Sequence, residues 1–333
     1  MSESREQDEA FVTLATNDTY ALGCLVLGSS LRRVKTSRQL VVMVTSGVSL
    51  SMREQLSNIF HMVREVHLLD SEDVSNLELL GRPDLNVTFT KLHCWTLTEY
   101  KKCVFLDADT LVVQNIDELF DRKEFSAAPD AGWPDCFNSG VFVFVPSEET
   151  YKNLRSMALT VGSFDGGDQG LLNLYFNTWA TEDIKKHLPY TYNVGFQAFY
   201  SYLPAFKQFH ENIKVVHFIG AVKPWHQNYN ASTGKVNAIP GTEHLEKFSQ
   251  QWWDIFMEVV RPKMEHEPEE GRSPVDLPAV RKIVDYRERR FSWDQGHPDY
   301  MGMDNFESIK AKLDENIVQP ASSSAADNSK PTP

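Results

Sequence analysis

The chemistry in this chain begins at Val104-Phe105-Leu106-Asp107-Ala108-Asp109-Thr110-Leu111-Val112-Val113, where two carboxylates interrupt an apolar run. A carboxylate in a buried strand needs a partner. On an extended chain the side chains of Asp107 and Asp109 leave on the same side. Two oxygen ligands facing one way, where a strand leaves the core, suit a divalent cation that also grips phosphates. Asp-x-Asp by itself also fits a solvated strand end, so the rest of the chain has to decide.

Three further constellations bear on that choice. Phe164-Asp165-Gly166-Gly167-Asp168-Gln169-Gly170 packs glycines around two carboxylates, allowing a tight backbone and close ligand approach, or a loop in which Asp168 caps the helix that follows. Val215-Val216-His217-Phe218-Ile219-Gly220-Ala221-Val222-Lys223-Pro224-Trp225 ends an apolar strand at His217, turns at Gly220 and brings Lys223 within reach of a phosphate. His217 is either a satisfied core residue or the nitrogen of a mixed O/N site, and such a site suits Mn²⁺ better than Mg²⁺. In Trp133-Pro134-Asp135-Cys136-Phe137-Asn138-Ser139-Gly140, Asn138 and Ser139 stand where a loop leads into a strand, facing a sugar or closing a turn.

The elements that must carry these residues alternate. Strands are expected at 11–16, 39–45 and 66–69, with helices at 18–31, 52–63 and 90–100, the last leading into the Asp107 strand. Continuously apolar strands alternating with helices indicate an α/β fold with a largely parallel sheet and helices on both faces, and ligands collect at the carboxyl ends of such strands. Further strands are expected at 140–145 and 213–219, and a long amphipathic helix at 242–260. The 333 residues carry a net charge of -13, which argues against a nucleic-acid or anionic-membrane surface. Met1 to Ala10 lacks an apolar signal core, no segment reaches transmembrane length, and Cys24, Cys94, Cys103 and Cys136 form no CxxC pair. These features lead us to expect a cytoplasmic protein with reduced thiols.

Taken in order, Asp-Ala-Asp, Phe-Asn-Ser-Gly, Asp-Gly-Gly-Asp-Gln-Gly and His-Phe-x-Gly-x-x-Lys-Pro-Trp resemble the family-8 glycosyltransferases nearly continuously over residues 10–262. Thr88-Phe89-Thr90-Lys91-Leu92-His93-Cys94-Trp95 and Tyr200-Ser201-Tyr202-Leu203-Pro204-Ala205-Phe206 resemble the self-glucosylating members in particular. The resemblance implies a GT-A type, Rossmann-like mixed sheet and a Mn²⁺ site, with Mg²⁺ as the alternative, formed by Asp107, Asp109 and His217 around the diphosphate of UDP-glucose. It implies uridine contacts from Leu14, Thr16, Asn17 and Tyr20, and basic donor contacts from Arg82, Lys91 and Lys223. Ala108 and Gly220 add to the donor site, and Asn138, Ser139, Asp165, Asp168 and Gln169 to the glucose pocket. Catalytic roles fall to Asp168, as transient nucleophile or electrostatic stabiliser, to Lys91, and to Tyr200 as the acceptor of the first glucose. Later acceptors would be hydroxyls of a growing α-1,4-glucan, with retention by double displacement or same-face attack. Around Tyr200 the run Gly195-Phe196-Gln197-Ala198-Phe199 departs from the serine-rich stretch expected there.

The chain divides into a disordered 1–9, the catalytic domain 10–262, a charged, proline-containing linker 263–290, a motif at 291–317 and a disordered tail 318–333. In the motif, Asp304 with Glu307 three residues on can open a helix whose Phe306, Ile309 and Leu313 share one apolar stripe. With Trp293 and Tyr300, the stripe resembles the segment through which such enzymes dock glycogen synthase, although Asp294 and Met301 replace the usual glutamate and leucine. A homodimer is expected from the resemblance. The rival expectations are a family-8 transferase acting on a separate acceptor with another UDP-sugar, and a weakly active scaffold that tethers glycogen synthase.

Overall fold

A computed structural model describes residues 7–69, 83–181, 183–196, 203–220, 223–227, 229–237 and 245–264, with backbone only at 83–86. Arg82, Tyr200, Tyr202 and the whole segment containing Trp293, Tyr300, Phe306, Ile309 and Leu313 lie outside the described residues, as do the linker and tail.

The first strand, β1 (Glu9–Ala15), runs into α1 (Asp18–Arg33). Asn17 makes the junction: its side chain accepts the Tyr20 N–H at 3.0 Å, satisfying one of the donors a helix start leaves open. β2 (Gln39–Val44) follows, then α2 (Leu50–Ser57), capped by Ser49, whose hydroxyl accepts the Met52 N–H. This helix is shorter than the expected 52–63. It stops at Ser57, and Ile59 and Phe60 reach the core from the turn beyond. Helical periodicity in the sequence was therefore satisfied by a helix plus a turn. The third strand, β3 (Met62–Glu65), accordingly begins four residues before the expected 66–69. The expected helix at 90–100 is a 3₁₀ segment, Pro83–Thr96, and β4 (Lys102–Leu106) follows it.

After β4 come the short β5 (Thr110–Val112), β6 (Ser126–Pro129) and β7 (Phe137–Phe144). β7 starts three residues before the expected 140, which puts Asn138 and Ser139 in the strand rather than in its approach. Two helices then pack on the sheet, α3 (Glu148–Thr160), capped by Ser147, and α4 (Asp168–Tyr175). β8 (Val194–Gly195) and β9 (Val215–His217) complete the site region; β9 is the core of the strand expected at 213–219. The long helix expected at 242–260 is described from α5 (Glu246–Ile255), which widens into a π-helical turn at Phe256–Val260.

The main sheet has the order β3-β2-β1-β4-β7-β6. β1, β2, β3 and β4 are parallel, whereas β7 runs antiparallel to both β4 and β6. The sheet is thus mixed, with its parallel half in the segment that the strand–helix alternation marked. Alternate residues feed two cores. Phe11, Leu40, Val42, Val104 and Leu106 pack with α1, α2 and α5, while Val12, Val41, Met43, Phe105 and Phe142 pack with Trp95 and Leu171 on the other face. Helices therefore cover both faces, as expected. Cys24, Cys94 and Cys103 are fully buried and all four cysteines are free; burial pushes the Cys24 thiol up to about 12. Among the described residues no helix is long and apolar enough to cross a membrane.

Candidate active site

A second, three-stranded sheet, β5-β9-β8, assembles the site at the carboxyl end of β4. β4 ends at Leu106, and Asp107 N–H donates to the Gly140 carbonyl at 2.9 Å. The chain then turns: the Thr110 N–H donates to the Asp107 carbonyl at 3.0 Å and its hydroxyl to the same oxygen at 2.7 Å. The extended geometry expected for Asp107-Ala108-Asp109 is therefore absent. The two carboxylates converge because one leaves the end of β4 and the other leads into β5. His217 arrives from β9, which pairs antiparallel with β5 and puts His217 opposite Thr110.

The ligand atoms of Asp107, Asp109 and His217 all lie within 4.8 Å of one another. His217 Nε2 is 3.3 Å from Asp109 Oδ1 and 3.8 Å from Asp107 Oδ2. Two carboxylates and an imidazole at these separations fit a divalent cation, and the part-exposed Asp107 leaves a side open for a ligand.

Two lysines flank this set. Lys223 Nζ pairs with Asp109 and donates to the Phe218 carbonyl at 3.0 Å. Lys91, buried over the Phe105 ring, lies 2.9 Å from Asp107 Oδ1 and 2.7 Å from Asp168 Oδ2. It thus links the metal-ligand carboxylates to the carboxylate at the start of α4. Burial alone would depress the Lys91 ammonium, but Asp107 and Asp168 outweigh it and hold its pKa above the ordinary lysine value. Burial likewise opposes ionisation of Asp109, yet the Lys223 ammonium beside it holds that carboxyl well below the usual carboxylate range. Asp107, with less compensation from Lys91, is raised by burial and by its neighbour Asp109. Three carboxylates against two ammoniums leave this cluster one positive charge short of neutral, a balance complementary to a cation that carries a polyphosphate.

Asp168 opens α4 rather than capping it; the cap position is Gly167, and the Asp168 N–H donates to the Thr88 hydroxyl at 3.0 Å. Asp165 holds its own loop: Oδ1 accepts from the Ser163 hydroxyl at 2.7 Å and from the Gly167 and Gly170 N–H groups at 2.9 and 3.0 Å. Gln169 accepts the Ser139 N–H at 3.1 Å and donates to Asp130 at 3.2 Å. Asn138 donates to Asp130 at 2.9 Å and accepts the Gly140 N–H at 3.0 Å. The Ser139 carbonyl accepts from Lys91 at 3.3 Å. Leu14, Thr16, Asn17 and Tyr20 stand half-exposed at the end of β1 and the start of α1, with the Tyr20 ring edge-on to Trp225 at 5.7 Å. Ala108 packs against α1, where a Cβ on Gly23 would fall 2.4 Å from its carbonyl oxygen. Gly220 takes φ +99°, the left-handed region that glycine alone enters freely, before Lys223.

Asp130 and Asn193, which bond to this set, carry no motif in the sequence. Each stands alone among residues of unrelated character, and only the tertiary structure brings it in.

The glycosyl transferase family 8 profile matches residues 11–229. Glycogenin-1 of Mus musculus is 52% identical over 331 residues, covering 92% of this chain and 98% of that protein. Glycogenin-2 of Homo sapiens is 57% identical over 258 residues, covering 77% of this chain and 52% of that protein. Among solved structures, the galactosyltransferase LgtC in complex with donor and acceptor sugar analogues superposes with a TM-score of 0.51 at 17% identity, covering 76% of this chain and 99% of that one. That likeness speaks to the fold alone. Profile, identity and coverage together place the chain in glycosyl transferase family 8, within its glycogenin branch.

Proposed function

We propose that this glycosyltransferase takes glucose from UDP-glucose, places the first residue on its own Tyr200, and extends it as an α-1,4-glucan with retention. The observation that carries the reading is the convergence of Asp107, Asp109 and His217 with Lys223, and of Lys91 with Asp168, in one cluster at the carboxyl end of β4. One pole of that cluster suits a diphosphate and the other an electron-poor sugar ring.

Asp107, Asp109 and His217 would hold Mn²⁺, which when bound supplies Lewis-acid stabilisation of the charge on the departing diphosphate. Lys223 sets a fixed positive charge beside the same pole, where it costs no reorganisation during reaction. The glucose carbon becomes oxocarbenium-like as the bond to phosphate breaks, and Asp168 is the carboxylate that faces that charge. Lys91 pairs with Asp168 and orients it. Leu14, Thr16, Asn17, Tyr20, Ala108, Gly220 and Arg82 would bind the nucleotide portion. Asn138, Ser139, Asp165 and Gln169 would frame the sugar. A free tyrosine phenol has a pKa of about 10, so transfer to a phenol must take up its proton as the new bond forms. The segment 291–317 would then dock glycogen synthase, and the catalytic domain would act as a homodimer.

Intact-mass spectrometry tests the reading. With UDP-glucose and Mn²⁺ the purified protein should gain successive hexoses, and Tyr200→Phe should gain none while still hydrolysing UDP-glucose. Undiminished hexose addition to Tyr200→Phe would remove Tyr200 as the acceptor. Addition from UDP-galactose but not UDP-glucose would overturn the assigned donor.

A further inference from the structure

The buried amides behind the metal-ligand set fix one another's orientation, and the chain of constraints ends at His217. It starts from two groups whose roles cannot change. Asp130 can only accept: its Oδ1 takes the Gly132 and Trp133 N–H groups at 2.7 and 3.3 Å, and its Oδ2 takes Asn138 Nδ2 at 2.9 Å and Gln169 Nε2 at 3.2 Å. The Gly140 backbone N–H can only donate, and it does so to Asn138 Oδ1 at 3.0 Å. Asn138 is therefore held with its NH₂ toward Asp130 and its oxygen toward Gly140. That oxygen also accepts Asn193 Nδ2 at 2.8 Å, which turns the Asn193 oxygen toward His217. Asn193 Oδ1 lies 3.0 Å from His217 Nδ1, and an oxygen there needs a proton on the ring nitrogen.

We propose that Asn193 is a positioning residue that locks His217 as the Nδ1–H tautomer, leaving the Nε2 lone pair aimed at Asp107 and Asp109, and that Asn138 and Asp130 set its direction. The proposal rests on the reading of Asp107, Asp109 and His217 as a cation site, and extends it to residues that touch no cation. The geometry supports it at three further points. Asn193, Asn138 and His217 are all at least nine-tenths buried, so water is not at hand to substitute for a lost partner. Asn193 directly precedes β8, in which Val194 pairs with Val216 and Gly195 with His217, so the strand pairing carries this stretch of chain past His217. Gly140 admits the ring: a Cβ there would lie 2.3 Å from His217 Cε1 and 2.5 Å from Nδ1. A ligating imidazole whose second nitrogen is held in this way loses about 10- to 100-fold in metal affinity when the partner is removed.

The test combines two measurements on the full chain. Long-range ¹H–¹⁵N spectra of the metal-free protein, with the His217 signals identified from His217→Ala, report the tautomer. Titration with Mn²⁺ alone, followed by electron paramagnetic resonance, reports affinity without turnover. The wild type should show the Nδ1–H form. Asn193→Leu, matched in size but without an acceptor, should mix tautomers and lose about 10- to 100-fold in Mn²⁺ affinity. Asn193→Asp, which keeps an acceptor at the same place, should retain the Nδ1–H form and bind Mn²⁺ more tightly than Asn193→Leu. An unmixed Nδ1–H signal with wild-type affinity in Asn193→Leu would overturn the proposal. So would an Nε2–H form in the wild type, a result that does not depend on the folding of any Asn193 variant. If instead the wild type binds no Mn²⁺, or His217→Ala binds it equally well, the cation site itself fails, and the tautomer result stands apart from that outcome.

Discussion

Lys91 is the residue whose loss most directly tests how this site is balanced. Its ammonium bridges Asp107 and Asp168, and its side chain is 5% exposed against 8% for Asp168 and 27% for Asp107. Lys91→Met keeps the aliphatic bulk and removes the charge, stranding a buried carboxylate at Asp168 and a partly buried one at Asp107. Breaking a buried pair from one side costs about 3–5 kcal/mol. Asp107 keeps some solvent, so the lower end, about 3 kcal/mol, is expected. In a domain of this size that lowers the midpoint of thermal unfolding by about 6–12 °C. Two additions make the expectation specific. Mn²⁺ at about 100 times the wild-type Kd stabilises the wild type by about 2.7 kcal/mol, and the same concentration should stabilise the variant more, because a cation restores countercharge at Asp107. The double variant Lys91→Met/Asp168→Asn, in which the stranded charge is gone, should recover about 1 kcal/mol or more of the loss while remaining inactive. Urea unfolding with and without Mn²⁺ measures all four differences. A single variant within about 1 kcal/mol of the wild type, with no recovery in the double, would refute the view that Lys91 is the countercharge shared by both poles.

Asp168→Asn should lose about 10²–10³-fold in transfer rate while UDP affinity, followed by calorimetry, stays close to wild type. Wild-type turnover in that variant would reject its role at the sugar. Gly23→Ala places a methyl 2.4 Å from the Ala108 carbonyl and 2.7 Å from the Trp225 ring. It should cost about 1–3 kcal/mol in denaturant unfolding and weaken Mn²⁺ binding, because the turn carrying Asp109 must shift. Glu124 is half-buried, and this desolvation raises its carboxyl above the ordinary value even though it accepts from Trp95 Nε1 at 3.2 Å and the Val145 N–H at 3.0 Å. A carboxyl whose folded pKa exceeds its unfolded one costs stability above that folded pKa, and the cost fades as pH falls through it toward the unfolded value. Glu124→Gln keeps the acceptor oxygen and should raise the urea midpoint at neutral pH, with the difference from wild type closing in mild acid.

Much of this arrangement was legible because it follows local rules. Asn17 announced the start of α1 by residue type, and the apolar runs at 39–44 and 102–106 announced buried parallel strands. Asp107, Asp109 and His217 stood out because charge or imidazole at the end of an apolar strand demands a partner. Where the reading failed, two structures shared one pattern. The spacing of Met52, Leu56, Ile59 and Phe60 is satisfied by a helix to Ser57 and a turn as well as by one longer helix. The sign of β7 relative to β4 is likewise invisible in residue pattern, since either direction buries the same side chains. Asp107 and Asp109 were paired for a partly mistaken reason: a turn, not an extended strand, brings them together. Asn193 and Asp130 had no signal at all, because an amide gains its meaning here only from what the fold sets beside it.

The pairing of Thr110 with His217 has a kinetic consequence. It joins positions more than a hundred residues apart, and strand side chains alternate faces, so a slip of one residue between β5 and β9 would turn the imidazole away from Asp107 and Asp109. Cation binding is then a register check on a long-range contact of the domain. During folding, affinity for Mn²⁺ should arrive late and abruptly, after the parallel half of the main sheet has formed, so that a chain able to hold the ion has already closed a loop of more than a hundred residues.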